Sequence, residues 1–157
     1  MNNRFRNVFF LAMLVGQIAI SRHYQSLRFN LDLLYMIIFC ISIRSGFMAS
    51  IVSASLIGLV SDYLSGGIIG VFSFSRTLAA YFLNIIARFV DLKNNFFIFL
   101  LIFISLFLSN AVAFVFFVLI FKYKVTASLL VYQPFATALI GTIFLGFKKV
   151  KSLLDVS

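Results

Sequence analysis

Residues 96–121 form an unbroken stretch without one charged side chain. That is longer than the about 20 apolar residues a helix needs to cross the hydrocarbon core of a bilayer. Other apolar runs crowd against it with little hydrophilic chain between them. The whole chain is 63% hydrophobic and 11% charged, whereas ordinary soluble domains carry about 25% charged residues. The fold expected is an all-α, polytopic membrane helix bundle. One integral membrane domain over residues 1–157 is expected, because no hydrophilic stretch is long enough to fold separately.

About six transmembrane helices are expected from the apolar runs: residues 8–20, 31–43, 47–64, 68–87, 96–121 and 125–147. Five spans, with one of the first two lying at the interface, is the competing count. The first two runs are short, so they borrow flanking residues or sit where the bilayer is thinned. The first 20 residues mimic a signal peptide, but no small-x-small cleavage site follows, so an uncleaved first span is expected. Pro134 falls inside the last run, where its missing N–H should kink the helix. Arg4, Arg6, Arg44, Arg88, Lys93, Lys148, Lys149 and Lys151 fall on one side of a six-span arrangement, and Arg22, Arg28, Lys122 and Lys124 on the other. This bias places both termini in the cytoplasm.

The net charge of +9 would suggest nucleic acid for a soluble protein. Here the basic residues sit at the ends of apolar runs, where the positive-inside rule and anionic membrane lipid account for them. No basic stripe interleaves with exposed aromatics, so nucleic acid is not an expected partner. Cys40 and His23 are the only residues of their kinds, which leaves no disulfide and no His/Cys metal constellation. No nucleophile–base pair and no phosphate-binding loop is visible. The chain reads as no enzyme, with no cofactor and no catalytic residues.

Two helix faces carry more information. In the third span Gly46, Ser50, Ser53, Ala54, Gly58, Ser61 and Ser65 share one arc, a packing seam where small residues let helix backbones approach. In the fourth, Ser73, Arg76, Thr77, Ala80, Asn84 and Arg88 share an arc opposite Leu78, Phe82, Ile85 and Phe89. That polar face must look into the bundle, a wet cavity or a partner rather than lipid. Arg76 lies about two turns into its span, where a charge costs at least about 2.5–3.5 kcal/mol. It either snorkels, pairs with Asp62 or backbone carbonyls, or meets an outside partner. Gly66, Gly67 and Gly70 would permit the tight return that brings Asp62 and Arg76 together. Asp32 opens the second span and reads as a helix cap near the membrane surface, favoured by the positive end of the helix dipole. Gln17 and Asn110 read as interhelical hydrogen-bond partners. Tyr132, Gln133 and Pro134 set a kink beside two hydrogen-bonding groups.

Residues 58–70, GLVSDYLSGGIIG, resemble the most recognisable stretch of the MreD family of bacterial rod-shape proteins. There a span ends in G-L-x-x-D-x-x-S-G and a further glycine opens the next. Gly58, Leu59, Asp62, Ser65, Gly66 and Gly70 occupy those places. Asp32, Leu33, Leu34 and Tyr35 resemble the family's Asp-Leu-Leu segment, with Leu31 where the family has proline. The resemblance implies a non-enzymatic scaffold of the elongasome in the bacterial cytoplasmic (inner) membrane. It would bind the bitopic protein MreC and, through it, a RodA-like glycosyltransferase and a class B penicillin-binding transpeptidase, supporting peptidoglycan synthesis and cell shape. It also implies a fold like the substrate-binding subunits of energy-coupling-factor transporters. A vitamin-uptake subunit is therefore the alternative, although the chain offers few convergent polar groups for a small-molecule ligand.

Overall fold

The computed structural model describes residues 15–16, 32–65, 68–90, 94–120 and 128–146. All its regular structure among those residues is helical. Five α-helices follow in order: α1 (Leu33–Arg44), α2 (Phe47–Ser65), α3 (Val71–Ile86), α4 (Asn95–Val115) and α5 (Ser128–Gly146). A π-helical turn, Phe116–Ile120, continues α4. These helices fall on the second to sixth expected runs. The first run lies outside the described residues except for Val15 and Gly16. Phe47–Ser65 and Asn95–Val118 are long and apolar enough to cross a membrane, while Leu33–Arg44, Val71–Ile86 and Leu130–Ile143 are shorter apolar helices.

α1 is the hub. Every residue from Leu34 to Cys40 is buried, as befits a helix that is apolar all round. It packs on α2, α3 and α4. Met36 also reaches α5, where a Cβ on Gly141 would lie 2.6 Å from its Sδ. The helix begins at Asp32, whose Oδ1 accepts from the Tyr35 N–H at 3.0 Å. The expectation of a capping aspartate is thus met in geometry. Twelve residues rise only about 18 Å, well short of an about 30 Å hydrocarbon core. Asp32, which caps the N-terminus of α1, is buried.

The exterior is the reverse of a soluble protein's. On α2 the buried residues are Ser50, Ala54, Gly58, Ser61 and Asp62. Met48, Val52, Leu56, Leu59, Val60 and Tyr63 are exposed. The same inversion holds on α3, where Ser73, Ser75, Arg76 and Asn84 are buried while Phe74, Phe82 and Ile85 are exposed. Water would drive these faces to exchange places. Lipid does not distinguish the large apolar side chains from its own tails, and it leaves small residues to form the helix contacts.

Candidate functional site

The polar residues of α1, α2 and α3 meet at two levels. At the first, the buried Arg76 guanidinium lies against the Asp32 carboxylate, Nη2 to Oδ2 at 2.5 Å. Its Nη1 donates to the Ser61 hydroxyl, and that hydroxyl donates to the Ile57 carbonyl at 2.9 Å. The Phe72 ring covers the guanidinium, 5.6 Å from Cζ to the ring centroid. The Asp32 N–H donates to Thr137 Oγ1 of α5 at 3.2 Å. One charge pair thus joins four helices. Arg76 sits about one and a half turns into α3, and Ser61 about one turn before the end of α2.

Arg76 therefore neither snorkels nor meets Asp62, and the two expected fates are corrected. The carboxylate it does meet lies 44 residues away in sequence, on a helix whose neighbours the sequence does not reveal. Hydrogen-bond occupancy explains the choice. Asp32 keeps its Oδ2 for the guanidinium while its Oδ1 caps α1, whereas both oxygens of Asp62 are taken by backbone amides.

Asp62 is buried and caps the helix that follows it. Its Oδ2 accepts from the Gly70 N–H at 2.9 Å and the Ser73 N–H at 3.2 Å, and its Oδ1 from the Phe72 N–H at 2.9 Å. These are orphan donors at the start of α3. A serine or aspartate at position 70 would normally take them. Gly70 cannot, because it has no side chain, and its φ of +106° favours glycine. The carboxylate of the preceding helix stands in, and the positive end of the α3 dipole stabilises its charge. Ser65 donates to the Asp62 carbonyl at 3.1 Å from an exposed position.

Gly58 explains how α2 and α3 come so close. A Cβ there would fall 2.4 Å from Ser73 Cα and 2.9 Å from the Phe72 carbonyl oxygen. Beside it the Ser73 hydroxyl donates to the Ser55 carbonyl at 3.0 Å. Thr77 is half-buried and returns its hydroxyl to the Ser73 carbonyl at 2.7 Å. At the second level, toward the other end of the hairpin, Asn84 Nδ2 donates to the Ser50 hydroxyl at 2.7 Å. Ser50 and Ser42 hydroxyls lie 2.6 Å apart, which ties α1 in again.

Of the site residues expected from sequence, Asp32, Gly58, Asp62, Ser73, Arg76 and Asn84 are brought into this buried system. Gly70 contributes its N–H, and Ser65 and Thr77 lie at its edge. Gly66 and Gly67 fall outside the described residues. The third-span seam narrows to its buried members, since Gly46 and Ser65 are exposed, and Arg88 of the fourth-span arc is exposed as well. Sequence reasoning missed Thr137, Ser42, Ser55 and Ser75. Ser42 had a signal, a lone hydroxyl two residues before the turn that faces Ser50. Thr137 had none, because its contact is to a backbone N–H on a distant helix. Among the described residues no three His, Cys, Asp or Glu side chains gather.

An interior of serine, glycine and a charge pair under an exterior of Phe, Leu, Ile and Val defines a helical membrane protein whose polar groups serve its own assembly. The chain belongs to the family of the rod shape-determining protein MreD, which matches over residues 5–148. No curated protein and no solved structure gives a match. The expected likeness to energy-coupling-factor subunits therefore has no support from a known fold.

Proposed function

We propose that this chain is a non-enzymatic, multi-pass scaffold of the bacterial inner membrane. Both termini lie in the cytoplasm, and six spans hold it there. It binds an MreC-like bitopic protein and, through that partner, a RodA-like glycosyltransferase and its class B transpeptidase. Family membership supports the setting in cell-shape maintenance. The observation that carries the scaffold reading is the internal pairing of the polar core. Asp32 is spent on Arg76 and Asp62 on three backbone amides, while Asn84 is held by Ser50 and a backbone carbonyl. A transported small molecule would need convergent polar groups turned toward a cavity of about 300–1,000 Å³. These groups are turned toward one another.

The test is affinity purification of the tagged full chain from native membranes in mild detergent, with mass spectrometry of the co-purifying proteins. Recovery of MreC-like and RodA-like proteins is expected. Recovery of a transporter coupling subunit with its ATPases, or of a stoichiometric vitamin, would overturn the proposal.

A further inference from the structure

The helices that share the polar core also bring two arginines to one end of it. Ser42 of α1, Ser50 of α2 and Asn84 of α3 form one layer, with the Ser42 and Ser50 hydroxyls 2.6 Å apart and Asn84 Nδ2 donating to Ser50 at 2.7 Å. Outward from that layer, Arg44 follows Ser42, Gly46 precedes Ser50 and Arg88 follows Asn84. Arg44 is two residues from the layer and the other two are four, so all three stand about 3–6 Å beyond it on the same side. Ile43 and Val90, close to the two arginines in sequence, pack on one hydrophobic cluster. Both arginines are exposed, and neither meets a carboxylate among the described residues, where the ion pair is Arg76–Asp32. The two described acids, Asp32 and Asp62, are buried at the opposite end, before α1 and near the end of α2. Asp91 and Lys93, which follow Arg88 in sequence, contribute one charge of each sign. Beside the arginines the surface is apolar. Met48 is 75% exposed and Phe89 84%, and Val52, Phe82 and Ile85 continue the exposed apolar faces along α2 and α3. Gly46 is exposed and meets no other part of the chain within 4 Å, so the surface beside Arg44 is open.

We infer that Arg44 and Arg88 together hold the phosphate of an anionic phospholipid as a discrete ligand, with its acyl chains along the exposed faces of α2 and α3. The inference goes beyond the scaffold reading and does not depend on the partners proposed there. Guanidinium presents paired N–H donors that match phosphate oxygens. Two cations with no internal counter-charge select an anionic headgroup over a zwitterionic one, whose own ammonium competes for the phosphate. The apolar surface next to them selects a lipid over a free anion, because acyl chains cover Met48 and Phe89 and an inorganic ion leaves them bare. The general inward bias of basic residues concerns their number on one side of the membrane. Here the claim is local: these two positions, on two different helices, bind one headgroup.

The test is native mass spectrometry of the purified full chain in mild detergent, titrated with phosphatidylglycerol or with phosphatidylcholine of the same acyl chains. The unaltered chain should bind phosphatidylglycerol more tightly. Arg44→Gln and Arg88→Gln should each weaken that binding about fivefold, and the double variant about thirtyfold, the effect of one and of two basic residues at an anionic surface. Phosphatidylcholine binding should not change. Lys122→Gln, the same loss of charge elsewhere in the chain, should leave both lipids bound as before, and inorganic phosphate in excess should not displace the phosphatidylglycerol. Equal binding of the two lipids by the unaltered chain, or undiminished phosphatidylglycerol binding by the double variant, would overturn the inference. A loss in Lys122→Gln as large as in Arg44→Gln would overturn it too, by showing that net charge and not this pair is responsible. Displacement by inorganic phosphate would assign the arginines to a free anion and overturn the lipid as ligand.

Discussion

The α2–α3 hairpin and the α4–α5 pair solve the same problem differently. Both must hold apolar helices together where lipid competes for every apolar surface. The hairpin does it with close backbones and hydrogen bonds: Gly58 against Ser73, Asp62 on three amides, Ser55 and Ser73 hydroxyls 3.2 Å apart. The α4–α5 pair does it mainly with rings. Phe135 of α5 meets Phe99 edge-on at 5.9 Å and Phe103 at 6.5 Å. The Phe99–Phe103 and Phe103–Phe107 stacks lie along α4 itself, and the Asn110–Gln133 hydrogen bond is part-buried. The lesson is that hydrogen-bonded, close-backbone contacts are concentrated in one half of the bundle, around the family motif.

The sharpest way to break this contrast is Arg76→Leu. It leaves Asp32 buried and unpaired, and a loss of about 3–5 kcal/mol is expected, read as unfolding of the detergent-solubilised chain. The double variant Asp32→Asn/Arg76→Leu keeps an acceptor for the Tyr35 N–H and removes both charges, so most of the loss should return. A double variant as unstable as the single one would show that the pair is not the source. Next comes Asp62→Ala. Its removal orphans donors at the start of α3, with an expected cost of about 2–3 kcal/mol. Hydrogen exchange at Phe72 and Ser73 should rise before exchange in α4 does, and a uniform rise would contradict a local cap. Gly58→Ala forces the backbones apart at a cost of about 1–3 kcal/mol. Disulfide trapping of cysteine pairs across α2 and α3 should slow in this variant, and an unchanged rate would mean that the contact is looser than described. The smallest effect belongs to the other half. Phe135→Leu should cost about 0.5–1.5 kcal/mol in the same unfolding measurement. A loss equal to that of Gly58→Ala would erase the distinction between the halves.

Much of the hairpin was visible in the sequence. The seam of small residues on the third span and the polar face on the fourth announced which sides turn inward, because helical spacing converts directly into a face. The buried stretch Ser50, Ala54, Gly58 and Ser61 follows that spacing. What could not be read was which polar group meets which. In the sequence Asp62 is a candidate counter-ion of Arg76 because it ends the third span and a glycine turn could fold the fourth span back onto it. Its role followed instead from Gly70, whose empty side chain left the next helix without a cap. The Asp32–Arg76 bond depends on α1 lying beside α3, which is not encoded in local periodicity. The π turn at Phe116–Ile120 was equally hidden, since nothing in a phenylalanine-rich run distinguishes one extra residue per turn.

The way Asp62 is held also bears on the order of assembly as the chain leaves the ribosome. Its donors lie eight to eleven residues ahead, so the carboxylate is covered as soon as the next helix begins to wind. The hairpin can thus enter the bilayer as a finished pair, with no bare acid to drag into hydrocarbon. Asp32 has no such convenience. It is made first and must wait for Arg76, and Thr137 closes over its N–H only once α5 has been made. A chain stopped after α1 would leave this acid without its cation, whereas one stopped after α3 already contains both members of the pair.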